Sequence, residues 1–296
     1  MGMLSPQQIL TKYWGFASFR SLQEEVILSV IAGKDTLALM PTGGGKSICY
    51  QVPGLMQEGL CLVVSPLISL IKDQVSSLQA KGIKAMALTS GMTLSEVDIA
   101  LDNCIYGSYK FLYLSPERLQ NPMVQERLKK MKISLIAVDE AHCISEWGYD
   151  FRPAYLKIAE IRAYIDAPVI GLTATATPDV VDDIQEKLVF AEKCVFRKSF
   201  LREKLSYVVL QQEDKDGKLL RVLNRVKGSS IVYCATRKET KRVYKLLQEH
   251  GISAHFYHGG LDVADRDDKQ KQWKQNHVRV MVATNAFGMG IDKPNV

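Results

Sequence analysis

The stretch DTLALMPTGGGKSICYQVPGLM, residues 35–56, decides how the chain is read. Its first six residues, DTLALM, are apolar without alternation, as in a strand covered on both faces. Its last ten, SICYQVPGLM, continue as a helix. Between them lies a glycine-rich turn. A turn that leads from a strand into a helix N-terminus presents backbone N–H groups and the positive end of the helix dipole to an anion. Gly43, Gly44 and Gly45 permit that tight path. The strict phosphate-loop spacing asks for a glycine five residues before Gly45, where Met40 stands. The strand–turn–helix frame survives that departure. Thr42 and the three glycines would cradle phosphate, Lys46 would reach the β- and γ-phosphates of ATP, and the Ser47 hydroxyl would meet Mg²⁺.

Working outward, the same strand signal recurs in CLVVSP (61–66), FLYLSP (111–116), ISLIAVDE (133–140) and PVIGLTA (168–174). Helical periodicity separates these runs. In PLISLIKDQVSSLQAKG, Leu67, Leu70, Ile71, Val75 and Leu78 share one face, and Gly82 is placed to end the helix. Unbroken apolar strands alternating with helices predict a doubly wound α/β parallel sheet. A second series begins near residue 205, with strands LSYVVL, SIVYCAT, AHFYHG and VRVMVAT and helices KLLRVLNRVKG, RKETKRVYKLLQEHG and DRDDKQKQWKQ. The charged, weakly patterned EKCVFRKSFLREK (192–204) reads as the linker. Two lobes are expected, 1–204 and 205–296, the second cut short because GIDKPNV follows directly on a strand and its loop.

The composition suits a soluble protein with real cores, 47% hydrophobic and 24% charged over 296 residues. No apolar run approaches the ~18 residues that span a bilayer, and the N-terminus carries no secretory signal. The six cysteines, at positions 49, 61, 104, 143, 194 and 234, show no CxxC spacing. Neither zinc nor disulfides are expected, and a reducing cytoplasm fits. A net charge of +6 mildly favours an acidic partner.

LIAVDEAH supplies the other half of a nucleotide site. Asp139 at a strand end would hold Mg²⁺, and Glu140 would orient or deprotonate the attacking water. Directly after it, SEWGYDFRPAY (145–155) crowds Trp147, Tyr149, Phe151 and Tyr155 around Arg152, too aromatic for a plain solvent loop. Bases stack on such rings at ~1–3 kcal/mol each, whatever their sequence.

Asp139-Glu140-Ala141-His142 resembles the DEAH box of superfamily 2 helicases. The whole set, over nearly the full chain, resembles the RecQ DNA helicases, with the aromatic segment as its most diagnostic part. One departure is Tyr149, where that family usually has His. The resemblance implies two RecA-like lobes with ATP between them and His142 in the catalytic set. It implies that Phe16 stacks on adenine, that Arg20 contacts it and that Gln23 bonds its edge. Ser65, Ser115, Arg118, Trp147, Phe151, Arg152 and Thr284 would meet DNA. Thr173 and Thr175 in GLTATAT would couple hydrolysis to movement, and Gly288, Gly290 and Asp292 would add to the nucleotide site. It further implies ATP-dependent 3′→5′ translocation on single-stranded DNA with duplex unwinding, in repair and recombination, by a monomer without membrane contact. The family's arginine finger, in a QxxGRxGR-type segment, is not in this chain, so weak activity is expected of it. Two alternatives remain: an RNA helicase of the same superfamily, and a non-catalytic nucleic-acid-binding module.

Overall fold

The computed structural model describes residues 4–41, 43–148, 150–199 and 205–288, with Ile291, Lys293, Asn295 and Val296. The chain divides into two compact units, residues 1–202 and 203–296.

In the first unit, α1 (Pro6–Trp14) and α2 (Gln23–Ile31) precede β1 (Thr36–Leu39) and α3 (Ile48–Met56). Then come β2 (Leu60–Val64), α4 (Ile68–Ala80), β3 (Ala85–Leu88), α5 (Leu94–Tyr106) and β4 (Phe111–Leu114). The short α6 (Pro116–Leu119) and α7 (Pro122–Leu128) lead into β5 (Ile133–Asp139). Two 3₁₀ segments, Ala141–Ile144 and Pro153–Ala163, lead to β6 (Val169–Thr173), α8 (Pro178–Lys187) and β7 (Val195–Arg197). The strands form one sheet in the order β3-β4-β2-β5-β6-β1-β7. Every pairing is parallel.

The unbroken apolar runs have a direct cause. Successive side chains of a strand point to opposite faces, and here both faces are covered. Leu37, Leu39, Leu62 and Val64 pack into one core with α5, α7 and α8. Ala38, Met40, Cys61 and Val63 pack into the other with α2, α3 and α4. Burying each leucine contributes roughly 1.5–3 kcal/mol relative to exposure.

In the second unit, α9 (Lys215–Arg225), β8 (Ser230–Tyr233), α10 (Arg237–Glu249), β9 (Ala254–Tyr257), α11 (Val263–Lys274) and β10 (Val280–Ala283) alternate. The parallel sheet has the order β8-β10-β9. Val280 and Val282 face Leu223, Val243 and Leu247, while Met281 and Ala283 face Trp273 and Phe287. Both units are parallel α/β, the two RecA-like lobes that the strand pattern and the family resemblance predict.

Two expectations fail. LSYVVL (205–210) is no strand: its six residues lie outside regular structure and all are exposed. Its composition favours β structure, but a strand needs a partner backbone, and no described strand pairs with it. Conversely, the linker reading of 192–204 overlaps β7, which pairs with the outer side of β1. Three residues on a sheet edge leave too short a pattern to be seen among charged neighbours.

Candidate nucleotide site and nucleic-acid face

The site grows from the carboxyl ends of β1, β6 and β5, which are neighbours in that order. The amide of Met40 donates to the Thr173 carbonyl at 3.1 Å, tying the end of β1 to that of β6. The chain then turns through the glycines. Gly43 and Gly45 have φ of +75° and +78°, a region that favours glycine. At Gly45 a Cβ would also collide with the Gln23 side-chain amide. Ser47 stands at the N-cap of α3, and its hydroxyl caps no amide of that helix.

Arg20 and Gln23 hold this turn from outside. Arg20 Nη1 donates to the Gly43 carbonyl at 2.8 Å. Gln23 Nε2 donates to the Gly45 carbonyl at 3.0 Å, and its Oε1 accepts from the Arg20 amide at 2.8 Å. Gln23 is buried, whereas Phe16 is exposed. The residues expected to read the base therefore also brace the turn directly. Thr42, Gly290 and Asp292, and also Tyr149, lie outside the described residues.

Asp139 ends β5 in a half-buried position. Its Oδ1 accepts from the Glu140 amide at 3.0 Å and its Oδ2 from the Ser65 hydroxyl at 3.5 Å. Burial, then the Glu140 carboxylate, raise its carboxyl to about 6, while Lys46 pulls the other way. Such a group is short of positive charge. Hard oxygen donors at a strand end, with Ser47 and Lys46 near the same turn, fit a divalent cation such as Mg²⁺. Glu140 adopts φ +48°, ψ +46°, a left-handed conformation that costs a non-glycine residue of order 1 kcal/mol and redirects the chain off the strand.

Two hydrogen-bonded lines leave this strand end. His142 Nδ1 pairs with Thr173 Oγ1 at 2.8 Å, and Thr173 Oγ1 in turn bonds the Thr175 carbonyl and amide, each at 3.2 Å. Burial lowers the affinity of His142 for a proton. The second line joins the aromatic segment. Tyr155, fully buried, donates its hydroxyl to the Asp139 carbonyl at 2.9 Å, and the Arg152 amide donates to the Cys143 carbonyl at 2.8 Å. Tyr155 is thus a brace and no stacking platform. Trp147 is 78% exposed. With His142, Gly148, Thr175, Thr177 and Val180 it lines a mostly apolar cavity of about 390 Å³. Phe151 and Arg152 are half-buried.

Ser65, expected to meet DNA, is buried, and its hydroxyl lies 3.5 Å from Asp139 Oδ2, to which it donates. Its place directly after a fully buried strand was the signal. Ser115 caps α6 by accepting from the Arg118 amide, and Arg118 Nη2 donates to the Thr89 carbonyl at 2.8 Å. Both line a second cavity, of about 600 Å³, with Pro66, Ser90 and Asn121. Arg152 Nη1 reaches the Pro66 carbonyl at 3.2 Å, so Arg118 and Arg152 flank one stretch of surface. In the second unit, Thr284 follows β10 and its hydroxyl accepts from the Ala286 amide at 3.4 Å. Gly288 has φ +144° and packs on the Tyr233 hydroxyl, which donates to the Phe287 carbonyl at 2.8 Å.

A glycine-rich turn and a strand-end acid pair at the carboxyl edge of a RecA-like sheet are the architecture of the P-loop nucleoside triphosphatases. Comparison with known proteins narrows this. Residues 20–184 match the family described as DEAD/DEAH box helicase, and residues 214–296 match the helicase conserved C-terminal domain. A Bacillus subtilis protein named probable ATP-dependent DNA helicase RecS is 46% identical over 99% of this chain and 60% of its own length. The ATP-dependent DNA helicase RecQ of the same organism is 46% identical over 98% of this chain and 50% of its own. The chain thus spans about half the length of the curated relatives it matches. Among solved structures, the Mycobacterium smegmatis helicase Lhr, bound to ssDNA and AMP-PNP, superposes with a TM-score of 0.75 at 18% identity, over 99% of this chain and 43% of its own, and shows the shared fold. The chain belongs to the DEAD/DEAH box helicases, and the relatives named above are RecQ and RecS helicases. Among the described residues no helix is long and apolar enough to cross a membrane.

Proposed function

We propose that this chain is the motor core of an ATP-dependent DNA helicase of RecQ type, which couples ATP hydrolysis to 3′→5′ movement along single-stranded DNA. Residues 1–204 and 205–296 are its two lobes. Support for the nucleotide half comes from the turn at Gly43–Lys46 and the under-compensated carboxyl of Asp139. When bound, Mg²⁺ would neutralise charge on the phosphates from a position held by Ser47 and Asp139. Lys46 would hold the terminal phosphates. Glu140, raised off the strand by its left-handed backbone, would orient the attacking water and take its proton. Phe16 would stack on the base, and Arg20 and Gln23 would contact it. His142 would pass the change to Thr173 and Thr175 through the bonds described above.

The single observation that carries the reading is the link between the aromatic segment and the acid pair. A fully buried Tyr155 bonds the backbone of Asp139, while Trp147 of the same segment stands in solvent. One end of the segment is fixed to the hydrolytic residues and the other is free to stack on an unpaired base. Phe151 and Arg152 lie between, and Ser115, Arg118 and Thr284 would contribute contacts to the DNA backbone. The test is ATP hydrolysis with and without single-stranded DNA, for the wild type and Trp147→Ala. The expected result is DNA stimulation in the wild type and a loss of ~10-fold or more of that stimulation in the variant, with basal turnover unchanged. Stimulation that survives in Trp147→Ala overturns the sensor role. Stimulation by RNA stronger than by DNA would favour an RNA helicase instead.

A further inference from the structure

We propose that His142, Cys143 and Asp150 form a binding site for a zinc-class transition-metal ion, and that the ion pins the aromatic segment to the end of β5. Their ligand atoms all lie within 4.8 Å of one another. His142 Nε2 is 3.9 Å from Cys143 Sγ, and Cys143 Sγ is 3.8 Å from Asp150 Oδ2. Tetrahedral zinc bonds of ordinary length set sulfur about 3.6 Å from a neighbouring nitrogen or oxygen ligand. Those two edges need shifts of a few tenths of an ångström; the third, between His142 and Asp150, lies within 4.8 Å and must close by up to about 1.4 Å, a movement open to the half-exposed Asp150 side chain, before the three form corners of a tetrahedron.

The outer contacts suit the same purpose. His142 Nδ1 is occupied by Thr173 Oγ1 at 2.8 Å and lies 3.4 Å from a Glu140 carboxylate oxygen. A metal-binding imidazole is usually oriented through its other nitrogen in just this way, leaving Nε2 with a free lone pair. The set of imidazole nitrogen, thiolate and carboxylate selects borderline-soft ions over Mg²⁺. The Asp150 side chain is 44% exposed, which leaves an entry path and a fourth position for water. In the metal-free protein the thiol points its proton at Asp150. On binding, the ion replaces that proton, which passes to solvent; thiolate and carboxylate supply two negative charges, and Arg152, whose guanidinium lies 3.6 Å from the same Asp150 oxygen, must yield that oxygen to the metal.

Asp150 belongs to the aromatic segment, and His142 and Cys143 to the turn after the acid pair. An ion bridging them fixes the segment in one position. On the reading that this segment reports DNA to the hydrolytic residues, bound zinc suppresses DNA-stimulated turnover. Zinc was not expected in this chain because no CxxC occurs. The adjacent His142–Cys143 pair with an acid seven residues on was the signal passed over.

The test titrates the whole chain with Cd²⁺ and Zn²⁺ in excess Mg²⁺, following the thiolate-to-Cd²⁺ charge-transfer band and competition with a chromophoric chelator. One equivalent with a charge-transfer band is expected. Asp150→Asn, at a half-exposed position that folding tolerates, should weaken binding ~10-fold or more, and Cys143→Ser should remove the band. A band that persists in Cys143→Ser, binding unchanged in Asp150→Asn, or no band at several equivalents each overturns the site. Zn²⁺ should lower DNA stimulation in the wild type and not in Asp150→Asn; equal loss in both overturns the pinning role. If the chain shows no DNA stimulation at all while the band and its variant pattern hold, the helicase reading fails and the metal site stands.

Discussion

Replacing Tyr155 with Phe removes one hydroxyl and leaves the ring. That hydroxyl donates the 2.9 Å bond to the Asp139 carbonyl from a fully buried position. Burial holds the phenol well above its usual range, so it is a neutral donor at any working pH. A buried bond of this kind is worth about 1 kcal/mol net, and up to about 3 kcal/mol if the carbonyl is left without a partner. For a unit near 200 residues each kcal/mol moves the melting temperature by about 2–4 °C. The variant should therefore melt about 2–12 °C lower. A second readout separates bracing from signalling. If the bond is stronger in the DNA-stimulated state, its loss reduces the coupling by at most its own free energy, about fivefold for 1 kcal/mol. The assay is the ratio of ATP turnover with saturating single-stranded DNA to turnover without it, alongside a thermal melt. A melting temperature that falls while the ratio stays put would show a purely structural bond, and the aromatic segment would have to reach the acid pair by another route. An unchanged melting temperature would refute the bond itself.

Two further outcomes follow from the same strand ends. The Asp139 carboxyl is raised to about 6 by burial and by Glu140, against about 4 in the unfolded chain. Between those values the native state holds a proton that the unfolded state has lost, so stability falls as pH rises from about 4 to about 6, by about 3 kcal/mol in all. Asp139→Asn, melted in EDTA, should flatten that decline and be the more stable protein at pH 7; superimposable pH profiles would count against the assignment. Gly45→Ala forces a side chain into φ +78° and against the Gln23 amide. It should cost about 1–3 kcal/mol and abolish the thermal shift that ATP produces, whereas a variant that binds ATP normally would remove the turn from the site.

The parts of this protein that could be read in advance are those whose cause is local. The strand DTLALM, the glycines and SICYQVPGLM form β1, the turn and α3 because each obeys its own backbone preference. The unbroken apolar strands announced a sheet covered on both sides. What escaped notice depends on partners distant in sequence. LSYVVL has every local feature of a strand and is none, since pairing is settled by a neighbouring edge. Ser65 looked like a surface hydroxyl at a helix start, but its place is decided by Asp139, seventy-four residues away. Tyr155 was grouped with the stacking rings from composition alone. Only the three-dimensional path turns it inward onto β5 while Trp147 turns out. The bonds from Arg20 and Gln23 to the turn were equally invisible, because nothing in WGFASFRSLQ says whether those side chains reach a base or a backbone carbonyl.

The position of Asp139 also bears on why the site is built as it is. A carboxylate removed from much of its solvent normally keeps its charge through a close cation or several donors. Here the charge of Lys46, one amide and one distant hydroxyl are outweighed by burial and the like charge of Glu140, and the carboxyl rises to about 6. An arrangement that only had to be stable would place Asn or an apolar residue there. On the proposed function, a divalent cation arriving with a triphosphate would relieve the imbalance, and binding would recover free energy that folding left unrealised. The backbone of the same residue carries the Tyr155 bond. Any small shift of β5 that accompanies cation binding is therefore felt at the aromatic segment, and a shift imposed on that segment by a stacked base is felt at the carboxylate. Reciprocity of this kind follows from linkage, and on the proposed reading it would tie the affinity for nucleotide to the presence of an unpaired strand.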